Sequence, residues 1–209
     1  FEGVARLASS RLRDVTTSAI SGAIGHRAGP SSSGMARVAE EADAIADATK
    51  EALLEAETRI RQAPSDASAR AEVHRAMDHL QDQIRDLFVS YTDPDVAREA
   101  ARVLCKELHP YVVRSALAER AIRRPHGITG TAEILAHVLV DTPGGDGQLG
   151  EILDRWFLDR PTLAAHRAVQ VPLVDATVAD LPAEGPRRIL LLTAGTGSLV
   201  AALNLRLSE

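Results

Sequence analysis

The chain has 209 residues, of which 45% are hydrophobic, 25% charged and only 3% aromatic, and its net charge is −5. A core without aromatics has to be built from Ala, Leu, Val and Ile, a balance that favours helices over a β-sandwich in a chain long enough for one large or two small domains. The acidic balance argues against a nucleic-acid surface, the single Cys105 against an internal disulfide and for a reducing, cytoplasmic setting, and no apolar run reaches the roughly 20 residues of a membrane span.

No signal-peptide pattern opens the chain; its first residue is Phe and its last helix is barely begun, so it reads as part of a longer protein. Residues 1–24 predict an N-terminal amphipathic helix, with Val4, Leu7, Leu12, Val15 and Ala19 on one face. By its residues this is an ordinary surface or dimer helix. The run 1–16, FEGVARLASSRLRDVT, resembles the C-terminal helix of a cyclic-nucleotide-binding domain, which implies a nucleotide pocket upstream. Gly, Pro and Ser make 25–34 a flexible linker.

From Met35 the pattern changes. Val38, Ala42, Ile45, Thr49, Ala52, Ala56 and Arg59 or Ile60 recur at alternating steps of four and three, a heptad seam lined by small residues. Ala63-Pro64-Ser65-Asp66 stops that helix and starts another, whose seam is Val73, Met77, Leu80, Ile84 and Leu87. Two seams joined by a short loop predict an antiparallel helical hairpin over 35–92, a candidate homodimer contact through 35–89. His74 and His79 fall on different faces of the second helix, so they do not form a metal pair.

Residues 93–188 predict a helical cap region. Pro94 opens a helix with a core face of Val96, Ala100, Val103, Leu104 and Leu108, beside which Cys105 reads as a small buried hydrophobe. A further helix is expected over 111–123, after Pro110. Arg124 to Glu133 holds Gly127, Thr129 and Gly130, a loop able to turn backbone N–H groups toward a ligand. Residues 141–147 read as a plain surface loop. Leu149, Ile152, Leu153, Trp156 and Phe157 form an apolar helix, and a last helix runs toward Leu181 with Pro172 as a kink or in a restarted first turn.

Ile189-Leu190-Leu191-Leu192 then leads into Thr193-Ala194-Gly195-Thr196-Gly197, and a helical rhythm resumes at Ser198. A short apolar run bounded by glycine predicts a strand buried on both faces, followed by a turn and a helix start with free N–H groups. The stretch resembles motif I of class I S-adenosylmethionine-dependent methyltransferases. With it come further landmarks in order: His109-Pro110, the Pro125-x-Gly127-x-x-Gly130 loop, Trp156-Phe157-Leu158 and Ala165-His166-Arg167. Together these resemble the bacterial methyltransferases of the 3-hydroxypalmitic acid methyl ester synthase type.

The resemblance implies a mainly α chain in which a helical hairpin or bundle precedes the first βα unit of a Rossmann-like methyltransferase fold, over 189–209. It implies S-adenosylmethionine as cofactor, with Gly195, Thr196 and Gly197 as its loop, Gly127, Thr129 and Gly130 as a covering loop, and His166 and Arg167 facing the site. A capping or ion-pair role for His166 and Arg167 stands beside that one. The implied acceptor is a fatty-acid carboxylate, already ionised at neutral pH, so the reaction needs alignment and exclusion of water rather than a strong base. Leu191 stands where the family carries an acid or amide, and Thr193 where it carries its first glycine. The chain as given therefore reads as an inactive fragment, any methyltransferase activity belonging to the full-length parent; the alternative reading is a degenerate pseudoenzyme, a non-catalytic helical interaction, dimerisation or signalling module.

Overall fold

Small side chains let helices approach closely, and in this chain they line the longest helix. The computed structural model describes residues 32–124, 131–182, 185, 188–190 and 196–208. Among these the elements are α1 (Ser32–Gln62), α2 (Ala67–Ser90), α3 (Pro94–Val112), α4 (Ala116–Arg123), α5 (Ala132–Val140), α6 (Gly147–Leu158), α7 (Pro161–Ala168), α8 (Gln170–Ala179) and α9 (Ser198–Ser208). The protein is mainly α, and among the described residues no helix is long and apolar enough to cross a membrane. The helix expected over 1–24, and the linker as far as residue 31, lie outside the described residues; 32–34, expected as linker, are already helical.

Two compact units divide the chain. The first takes 32–55 and 75–109 of the described residues. Its core is one buried face from each of three segments: Val38, Ala42, Ala46, Thr49 and Leu53 of α1; Met77, Leu80, Ile84 and Leu87 of α2; Val96, Ala100, Val103, Leu104 and Leu108 of α3. The α1 seam differs from the expected one at two places, Ala46 replacing Ile45 and Leu53 replacing Ala52. From Ala42 to Ile60 the buried positions still step by four and three, so the heptad spacing holds, and one of its two rows, Ala46 and Leu53, stands one residue beyond the expected Ile45 and Ala52. The buried hydroxyl of Thr49 is satisfied locally, donating to Ile45 O at 2.8 Å. Tyr91 Oη donates to Glu41 at 2.7 Å, and Lys50 Nζ reaches both Asp47 and Glu107, at 2.7 and 2.9 Å. Lys106 and Lys50 together hold the Glu107 carboxyl down at about 2. Cys105 is exposed rather than buried, because it faces away from the stripe formed by its neighbours Leu104 and Leu108.

The second unit takes 56–74 and the chain from 110 onward. Asp66 caps α2 by accepting the Ser68 N–H at 2.9 Å, and the Arg59 guanidinium gathers Asp66, Ser68 and Glu72 around the turn. Pro110 does not begin a new helix; α3 runs through it to Val112, and the break falls at Ser115. Ser115 caps α4 by accepting the Ala118 N–H, and Thr131 caps α5 in the same way. Both helices end on a left-handed residue, Arg124 (φ 46°) and Asp141 (φ 55°). Around the apolar α6, where Leu149, Ile152, Leu153, Trp156, Phe157 and Leu158 are all buried, pack α4 and α7; α5 packs on α4 and α7, and α8 on α7 and α9. The chain restarts between α7 and α8 at Val169, which leaves Pro172 in the first turn of α8 where its missing N–H costs nothing.

No strand is present among the described residues; the one β pairing is an isolated antiparallel bridge between Ser115 and Gly145. Ile189 and Leu190, expected to open a strand buried on both faces, have no strand pairing and stand exposed, Leu190 at 84%. No strand among the described residues lies beside them to take up their backbone groups. Leu191 and Leu192 lie outside the described residues.

Candidate functional site

Of the residues singled out from the sequence, Gly127, Thr129, Gly130 and Gly195 lie outside the described residues. Thr196 and Gly197 form the turn into α9. The Ser198 N–H donates to Thr196 Oγ1 at 3.1 Å, and the Ala201 N–H to Gly197 O at 3.0 Å, which starts the helix. Gly197 is left-handed, with φ 74°, and a side chain there would meet nothing within 4 Å. A glycine therefore serves the turn by its conformation, and the backbone beside it is open.

His166 and Arg167 sit on α7. The Arg167 guanidinium donates to Leu158 O at 2.9 Å and pairs with Asp141 at 3.3 Å. Arg155 converges on the same Asp141 carboxylate at 2.6 Å and on Asp159 at 2.7 Å. Arg167 thus fastens α7 to the end of α5 and of α6, the ion-pair role of the two weighed. The backbone carbonyl of His166 accepts from Gln170 at 3.4 Å, across the restart of the chain.

The densest polar site is one that the sequence reading did not single out. Asp154, on the apolar face of α6, is fully buried. Its Oδ1 accepts the Ser115 hydroxyl at 2.6 Å and the Leu117 N–H at 2.8 Å; its Oδ2 accepts the Gly144 N–H at 2.9 Å and is hydrogen-bonded to His137 Nε2 at 2.7 Å. Four partners fill the four lone-pair directions of the carboxyl group. The cluster ties together the α4 cap, the end of α5, the 142–146 loop and α6, so that loop is not the plain surface loop expected. The signal present in the sequence was an acid on the apolar face of the run from Leu149 to Leu158, whose other acid, Glu151, is exposed.

Ser, His and Asp side by side invite a nucleophile reading, and the connectivity speaks against it. In a catalytic triad the histidine stands between serine and acid and takes the serine proton. Here the acid stands in the middle, Ser115 gives its proton to Asp154, and its oxygen lone pair is engaged by the Ala118 N–H. Ser115 is also fully buried. The arrangement holds backbone in place.

Two surface grooves lie in the second unit. One, of about 540 Å³, runs past Pro110, Val113, Arg114, Glu119 and Asp146. The Arg114 guanidinium in it is held by Glu57, at 3.0 Å. Arg114 first, with Arg61 at 2.9 Å adding to it, holds the Glu57 carboxyl below its ordinary value against the opposing effect of burial. The other groove, of about 400 Å³, lies between α8 and α9 and is lined by Val171, Val174, Ala202 and Leu205, with Gln170, Asp175 and Arg206 at its rim. Among the described residues no three His, Cys, Asp or Glu side chains are placed to share a metal ion. Comparison of the chain with protein families, with curated proteins and with solved structures gave no match.

Proposed function

We propose that the chain is part of a methyltransferase-type polypeptide: it holds S-adenosylmethionine at the turn before α9, and the full-length protein delivers the methyl group to a carboxylate oxygen of a fatty-acid-like acceptor. The observation that carries this reading is the turn itself. Thr196 and left-handed Gly197 bend the chain into α9 with open space over the glycine, and the first N–H groups of a helix favour polar or anionic ligand groups. The ordered landmarks of the sequence, including the loop of Gly127, Thr129 and Gly130, support the same reading. Methyl transfer breaks the sulfonium carbon–sulfur bond while the carboxylate oxygen forms the new bond, leaving a neutral thioether and an ester. No proton moves, so no general base is required of the chain. Calorimetric titration of the chain with S-adenosylmethionine tests the proposal: binding is expected, weakened by Gly197→Ala, which a left-handed backbone tolerates poorly. Absence of binding heat together with an unchanged thermal midpoint contradicts it.

A second reading, a non-catalytic interaction module, is favoured by a different observation. α8 and α9 are apolar but only Val174 and Leu203 are buried on them, while Val171, Leu173, Val200 and Leu205 are exposed. A helix that is apolar on all sides belongs inside a core or an interface. The seams of α1 and α2, by contrast, are already covered within the chain, since Val38, Ala42, Val73 and Met77 are buried there. An environment-sensitive dye such as anilinonaphthalene sulfonate should bind the dilute chain and lose that binding in the Val171→Asp, Leu205→Asp double variant. A dye signal that ignores the double variant removes this reading.

A further inference from the structure

We draw no further inference here: the strongest candidate, the exposed apolar surface of α8 and α9 around Val171, Leu173 and Leu205, carries none, because nothing in the structure shows what covers it.

Discussion

Asp154 shows most plainly how one residue can carry a local structure. Replacing it by Ala leaves the buried Ser115 hydroxyl and Leu117 N–H, and the half-buried His137 ring nitrogen and Gly144 N–H, without their common partner. Each buried donor left alone costs about 1–3 kcal/mol, and breaking a buried charged site typically costs about 3–5 kcal/mol in total. Asp154→Ala should therefore remove a large part of the unfolding free energy in a urea titration; a loss below about 1 kcal/mol would mean the cluster is not a fastener. Gly150 makes a second, steric prediction. A Cβ there would lie 2.5 Å from the Arg114 carbonyl oxygen and 3.1 Å from Gly145 C, both backbone atoms with little freedom to yield. Gly150→Ala should destabilise by about 1–3 kcal/mol although alanine is the better helix former by about 1 kcal/mol. Glu57 gives a pH prediction. Its folded value is below the ordinary 4.5, so its pairing with Arg114 and Arg61 contributes stability above about pH 4.5 and loses it as the pH falls through the folded value. Glu57→Gln should flatten the acid limb of the stability profile and change little at the lowest pH.

At the scale of elements, the period of the apolar residues was the informative feature of the sequence. Val73, Met77, Leu80, Ile84 and Leu87, and likewise Val96, Ala100, Val103, Leu104 and Leu108, are buried as their spacing indicated. In α1 the period was right but its register slipped, because an alanine-rich helix offers small residues on every side and only packing selects among them. Ala46→Leu, at a fully buried position, should overpack and cost about 1–3 kcal/mol, whereas Ala44→Leu on the exposed side should change stability by less than about 0.5 kcal/mol. Equal effects of the two substitutions on the thermal midpoint would return the seam to its expected register. The Asp154 cluster was less legible for a physical reason. Its partners come from four places in the chain, and two of the four are backbone N–H groups that no residue type announces. Pro110 misled in the other direction, since a proline near a helix end removes one hydrogen bond without ending the helix.

Across the whole molecule, composition alone indicated the helical class: few aromatics, much alanine and leucine, and apolar periods of three and four. What composition and period do not encode is which apolar surfaces stay uncovered. The run Ile189-Leu190 read as buried, yet it stands exposed, and so do most apolar side chains of α8 and α9. Both functional readings start from that region, one from the turn at Thr196-Gly197 and the other from the exposed apolar side chains beside it. The turn is the more exacting claim. Adding S-adenosylmethionine to isotopically labelled chain and following backbone amide shifts tests it most directly. The account predicts that the amides of Thr196, Gly197, Ser198 and Leu199 move together and saturably; a spectrum in which they stay still, or in which the only shifts fall on the first unit, would contradict it.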